Sequence, residues 1–546
     1  MLAACGGGSS AEDGGVGADA ADSGDSGSTG ADAADAGVGP DADAGRRDTG
    51  PRPDAMPRPD AMPVLVPDSG LTYEYGTKVL DAPVNILGLS DDEAEIYFQD
   101  QGFKSVSPAG GVVKTIHPSI NIIYTVGDIV HFATDPVGVD PAAGNAERHT
   151  LRRYRVGGTT SEVISERFAT GVFAASPDDQ FVVFGDNQQG TGTTTRTVDL
   201  VVARTDGTQR TVLFPGISIG FWDPAPDSFG YAGACVPSIT FTSTSTFLFT
   251  GCRDARKVRE ITHVDLRLGR ILPVATPSQP GKLLVVALAS PQVPYILFRE
   301  ITVGLNNTQT SVWFAAQRDG NNVIPLVETE QIGFAFALDG QRFGYRTVNR
   351  RIRVASYPEL VPTTIQEVGA GIFRGASSDG QTVMFSEGTG DTYDVNIIST
   401  STAPTAAFEQ LARGNAYAAE SPFADDGRYA FWYASVDENL IGDLVGRRVE
   451  RGSTPVVLGT RGYYFLTYRG DPEGVLMMVN ARFETLPMDR RRAVGDWAIR
   501  KRDGTTPLKV LVGGASAEFA FFPRSNRFVY VSVDSANPGV FVRALE

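Results

Sequence analysis

The segment Gly216-Ile217-Ser218-Ile219-Gly220 matches G-x-S-x-G, the turn that presents a serine nucleophile in many hydrolases. That chemistry needs a strand before the serine and a helix after it. Here FWDPAPDSF follows, and its two prolines forbid the helix. Ser218 is therefore not expected to act as a nucleophile. The four histidines, His117, His131, His149 and His263, show no H-E-x-x-H spacing, and no C-x-x-C accompanies them. DADAG at Asp41 lacks the third acid and the closing Glu of a calcium loop. Asp91, Asp178, Asp379 and Asp426 sit at turns, where a carboxylate accepts backbone N–H bonds, and no partner for acid–base work stands beside them. Arg490, Arg491, Arg492, Arg500, Lys501 and Arg502 form the strongest basic cluster, read as a solvated loop, with docking to an anionic surface as the alternative. The expectation is no catalytic residue, no metal and no cofactor.

The elements that would carry these residues are repetitive. SSDGQTVMFSEG from Ser377 has relatives in SPDDQFVVFGDN from Ser176, ALDGQRFGYRTV from Ala337 and FADDGRYAFWYA from Phe423. Gly adopts positive φ without steric cost and Asp bonds amides two residues on, so each pair is a tight turn feeding a β-forming run. A second Asp-Gly class occurs in ARTDGTQRTVLF from Ala203, AAQRDGNNVIPLV from Ala315 and IRKRDGTTPLKVLV from Ile499. One unit reads strand, turn, strand, loop, strand, turn, strand. First-class turns fall near Asp91, Asp178, Asp339, Asp379, Asp426 and Ser525, and the closest are about 40 to 48 residues apart, the length of one propeller blade. Weaker copies start at Asn121, Thr246, Tyr295 and Gly474, giving roughly ten units. A lone four-stranded sheet cannot bury both faces, whereas sheets stacked around an axis can. The fold class expected is all-β, a β-propeller of about eight to ten four-stranded antiparallel blades. Phe431, Trp432 and Tyr433 would then be inter-blade core.

These S-x-D-G turns, with Asp-Gly before the last strand, resemble the TolB-like propeller repeats of bacterial periplasmic proteins. The resemblance covers most of Leu71 to Glu546 and implies a fold and an envelope location rather than a ligand.

The first seventy residues differ in kind. Of the net charge of −16, residues 11–70 carry −9 from 13 acidic and 4 basic residues, leaving −7 for the rest. An acidic balance makes nucleic acid an unexpected partner. Residues 6–70, rich in Ala, Asp, Gly and Pro, hold almost no large apolar side chain, so a disordered linker is expected. Before it, Leu2-Ala3-Ala4-Cys5 resembles a bacterial lipobox, with residues 1–5 as the remnant of a lipoprotein signal. That resemblance implies diacylglycerol on the Cys5 thiol, and Gly6 after it implies outer-membrane sorting. In an exported chain, Cys235 and Cys252, which flank strands of one unit, are candidates for a local disulfide, with two buried thiols as the other reading. The propeller domain spans 71–546, and strand 71–83 is expected to complete the unit that ends at Glu546, removing an open edge.

The function expected is that of a non-enzymatic, membrane-anchored lipoprotein of the outer membrane or periplasm, its propeller binding an envelope protein or glycan. A propeller-type glycan lyase or hydrolase is the rival reading, and a structural spacer a third.

Overall fold

The computed structural model describes residues 74–545, apart from 137, 141–145, 191–195, 220–236, 253–258, 280–281, 290–292, 304–308, 328–331, 350, 362, 367–371, 388–392, 400–408, 469–470 and 487–489. Among these residues there is no helix, and the strands form ten four-stranded antiparallel blades of a β-propeller. Blade 1 is Asn85–Leu89, Ile96–Gln99, Phe103–Val106 and Lys114–His117, each strand paired with the next. Several blades share a strand with a neighbour. Glu162–Ala175 is the outer strand of blade 2 and then the inner strand of blade 3, and Glu409–Phe423 joins blades 7 and 8 in the same way. Lys509–Phe522 does so for blades 9 and 10.

Packing follows from pairs of blades meeting face to face. In blade 7, Val383 and Phe385 enter a cluster with Leu338, Ile352 and Val354 of blade 6. Met384, between them, points the other way and joins Ala430, Trp432 and Val445 of blade 8. Alternate side chains of one strand thus serve two interfaces, which is why the second strands read as unbroken apolar runs. Phe431, Trp432 and Tyr433 repeat the pattern: Trp432 faces blade 7 while Phe431 and Tyr433 face blade 9. Each fully buried side chain of this size stabilises by about 1.5–3 kcal/mol.

The ring closes at the chain ends. Thr77–Leu80 pairs antiparallel with Gly539–Ala544, with Thr77 opposite Val542 and Lys78 opposite Phe541. Blade 10 therefore takes its outer strand from the start of the propeller. Val79, Val529, Val531, Val540 and Val542 of that blade pack on Ile96, Phe98 and Val106 of blade 1.

The recurring Asp-Gly turn has a constant internal wiring. Ser377 Oγ donates to Asp379 at 2.6 Å and accepts from Thr382 N at 3.0 Å, while Gln381 N donates to Asp379 at 3.0 Å. Ser176 and Asp178 repeat it at 2.7 Å. In blade 1 the pair is Ser90 and Asp92, so the acceptor there is Asp92 and not Asp91. Gly380 has φ +65°, and a Cβ on it would lie 2.5 Å from the carbonyl oxygen of Leu338 in the preceding turn. Close approach between neighbouring blades, as well as the turn itself, calls for glycine there.

Candidate functional site

In an up-and-down meander, the turns between first and second strands and between third and fourth strands emerge at one end of the blade. Both Asp-Gly classes therefore share one face of the propeller. On it, neighbouring turns are tied together. Asp92 N donates to Asp128 at 3.0 Å, joining blades 1 and 2, and Arg524 N donates to Glu93, joining blades 10 and 1. Arg502, its side chain 3% exposed, donates to Asp426 at 2.8 Å and to Glu473, and lies 4.4 Å above the Tyr429 ring. These pairs hold both Asp426 and Arg502 in the ionised form: the guanidinium lowers the carboxyl and the two carboxylates raise the guanidinium, each against an opposing cost of burial.

The basic cluster is thus not the solvated loop expected from sequence. Arg490–Lys501 is a strand of blade 9, Arg492 pairs with Glu518, and Arg500 donates to the carbonyls of Val457 and Thr506, each at 2.9 Å. The two triplets lie at opposite ends of that strand, and the register places Arg490 opposite Leu486 but Lys501 opposite Gly474. A continuous basic surface would need them at one end.

Between blades 2 and 3 on the turn face lies a polar cavity of about 390 Å³. Blade 3 supplies Asp178, Asp179 and Gln180 from its first turn, and Arg204, Thr205, Asp206, Thr208 and Gln209 from its Asp-Gly turn before the last strand. Blade 2 supplies Ile129, Arg153 and Arg155. Most of the charges are already engaged. Asp178 accepts from Ser176 Oγ and Gln180 N, and Asp206 from Thr208 N at 2.9 Å. Arg204 donates to Gln209 at 3.2 Å and Gln180 at 3.3 Å, with its guanidinium 4.7 Å from the Phe181 ring centroid. Arg153 pairs with Glu162. Burial, together with the charges of Asp91, Asp178 and Asp128, raises the carboxyl of Asp179. The hydrogen bond from Thr208 lowers that of Asp206. The cavity can therefore present fixed donors and acceptors of both signs.

Sequence reasoning assigned Asp178 to a turn and did not assemble this cavity. One signal was available: SPDD puts Asp179 where SSDG puts Gly380. A second device also went unread, on the opposite face. Asp199, at the start of a third strand, accepts from Gly216 N at 2.8 Å, and Asn187 donates to its other oxygen at 3.1 Å. Asp496 repeats this with Gly514 at 3.3 Å and Asn480 at 2.8 Å. All four partners have positive φ at strand bulges.

The other candidates are dispersed. Ser218 ends the strand Thr211–Ser218, in register with Thr197 and Cys252, which is an extended ladder and not an elbow. His117 lies in blade 1, His131 and His149 in blade 2, and His263 in blade 4. Among the described residues, no group of His, Cys, Asp or Glu could hold a metal ion. Cys5 and Cys235 lie outside the described residues, as does the linker at 6–70. Cys252 is fully buried and disulfide-bonded. Pairing it with Cys235 would close a loop of some 17 residues, for which about 3 kcal/mol of stabilisation is expected. Cys252→Ser should lower the free energy of unfolding in urea by about that amount. A non-reduced digest lacking a linked Cys235–Cys252 peptide would reject the pairing.

No known protein family matches the chain, and no curated protein sequence does. Solved structures similar to it include a eukaryotic initiation factor at 11% identity, covering 79% of this chain and 97% of that one, with a TM-score of 0.41. A prolyl endopeptidase is similar at 12% identity over 71% of this chain and 54% of its own, with a TM-score of 0.34. TolB from Acinetobacter baumannii is similar at 11% identity over 56% of this chain and 76% of its own, with a TM-score of 0.23. The expectation of a non-enzymatic protein is corrected by the second of these. An endopeptidase is among the solved structures similar to this chain.

Proposed function

We propose that this chain is a lipid-anchored protein of the Gram-negative cell envelope, in the outer membrane or periplasm, whose propeller binds a protein or glycan partner. The observation that carries the binding reading is the cavity between blades 2 and 3, built from turns that a rigid ten-blade scaffold holds in place. Loops fixed by such a scaffold carry recognition with little reorganisation on binding. The Leu2-Ala3-Ala4-Cys5 stretch, followed by a long acidic linker, supports the anchor. A single acyl chain binds membranes reversibly, whereas a thiol-linked diacylglycerol supplies two chains and a stable attachment.

Two measurements test this. In cells, with a complete export signal in front, Cys5→Ala should abolish labelling by a fatty-acid analogue and move the protein from membrane to soluble fractions. Persistent labelling would sink the anchor. For binding, the full chain and an Arg155→Ala, Asp179→Asn double variant should be compared on arrays of envelope glycans and purified envelope proteins. The reading requires a partner held by the parent and lost by the variant. Equal retention by both would remove the cavity from the account.

A further inference from the structure

Resting on that binding reading, we infer that the cavity between blades 2 and 3 takes a small zwitterion, a molecule carrying one carboxylate and one ammonium group as a free amino acid does. Two charged groups of the lining have no hydrogen-bond or ion-pair partner among the described residues: the exposed guanidinium of Arg155 and the half-buried carboxylate of Asp179. Every other charge there is engaged, Asp178 and Asp206 within their own turns, Arg204 with two glutamines, Arg153 with Glu162. One open cation and one open anion facing the same space call for a ligand bearing both signs. The neutral amides and hydroxyls of Gln180, Gln209, Thr205 and Thr208 surround them, with Ile129 as the apolar residue of the lining.

The backbone at Asp179 is the second observation. Its φ is +52°, at the position where the equivalent turns of blades 7 and 8 carry Gly380 (φ +65°) and Gly427 (φ +68°). Two other turns also place a non-glycine there, and each has a structural reason. Glu93 accepts from Arg524 N, and Asn526 donates to the carbonyl of Leu545 at 3.2 Å. Asp179 makes no such bond. Asp tolerates this conformation better than most residues, and a left-handed residue whose side chain has no structural partner is an outlier from which a functional role is inferred. Burial and the acidic neighbours raise this carboxyl, and an ammonium beside it would offset both effects.

Saturation-transfer NMR with three probes tests this: L-glutamine, N-acetyl-L-glutamine, which lacks the ammonium, and L-glutamine amide, which lacks the carboxylate. Glutamine should saturate in the millimolar range, and the two singly charged probes should bind at least tenfold more weakly. Asp179→Gly should weaken glutamine at least tenfold while melting at or above the parent temperature, because it relieves the left-handed strain. Arg155→Gln should give the same loss of binding. Absence of saturable glutamine binding, equal binding of the three probes, or binding unchanged in both variants would overturn the inference. A macromolecular partner retained by the parent while glutamine fails would leave the broader binding reading standing and remove this one. Failure of both would remove both.

Discussion

A chain that begins at Pro83 is expected to be far less stable, and far less soluble, than one that begins at Leu71. Twelve residues separate them, but those twelve contain the strand Thr77–Leu80, the outer strand of blade 10. Its loss uncovers the hydrogen-bonding edge of Gly539–Ala544 and opens the cluster in which Val79 packs with Val540, Val542, Ile96 and Phe98. Three further ties go with it. Tyr75 Oη donates to Asp534 at 2.6 Å, Tyr530 Oη donates to the Tyr75 carbonyl at 2.5 Å, and the Tyr75 ring lies 5.3 Å from that of Phe541. Removing Val79 and Tyr75 from the core, with part of Leu80, should cost on the order of 5 kcal/mol. That is comparable to the whole stability of an ordinary domain. An uncovered edge beside blade 1 should also recruit other chains, so aggregation should rise with it. Differential scanning calorimetry and light scattering on the two chains decide the matter. Trimming only to Gly70 should change neither readout, because residues 1–70 contribute almost no large apolar side chains. Equal melting temperatures for chains starting at Leu71 and Pro83 would show that the closing strand does not hold the ring.

The propeller was legible because its two strongest signals are local. Asp-Gly turns and strand-length apolar runs lie within a dozen residues of each other, and physics at that range is nearly independent of the rest of the chain. Met384 between Val383 and Phe385 shows what the run meant: a strand buried on both faces, by two different neighbours. The joining of blades was not legible. Glu162–Ala175 and Glu409–Phe423 each contain a glycine at positive φ, Gly171 and Gly414, and from sequence such a glycine reads as a break where the strand in fact bends into the next blade. The basic cluster failed for a different reason. Arg500 and Arg502 look like surface charge until blade 8 supplies the carbonyls of Val457 and Leu458 and the carboxylate of Asp426, and the adjacent strand of blade 9 supplies that of Glu473. The cavity was hidden because its lining comes from two turns of blade 3 and from strand ends of blade 2 that only the stacking of the two blades brings together.

Acid should destabilise the protein well above the range in which carboxylates titrate, and His131 should be the main cause. Its side chain is fully buried in blade 2, with Nδ1 2.8 Å from Thr125 Oγ1 and the ring 5.4 Å from that of Phe173. Nε2 is buried and makes no hydrogen bond. A proton placed there would charge a ring that water cannot reach, with Arg153 nearby. Burial first, and that like charge second, push the group down to about 3 from an ordinary 6.5. The sign follows from linkage. The unfolded chain takes up the proton near pH 6.5 and the folded chain does not, so the stabilisation is complete above pH 6.5 and is lost as pH falls toward the folded value. Between pH 7 and pH 5 this single group should lower the free energy of unfolding by about 2 kcal/mol, a figure that requires only a folded value well below 5. His117 and His263 are also lowered by burial and add in the same direction. Carboxylates with lowered values, such as Glu409 and Asp426, contribute only below about pH 5, since their unfolded counterparts titrate there. Urea unfolding at pH 7 and pH 5 should therefore separate the parent from His131→Asn, whose Oδ1 takes the place of Nδ1 against Thr125. The variant should start lower at pH 7 through lost ring packing against Phe173, but its difference between the two pH values should be smaller than the parent's by roughly 2 kcal/mol. An equal loss in both proteins would mean that the folded state charges His131 as readily as water does, and that the ring is not sealed.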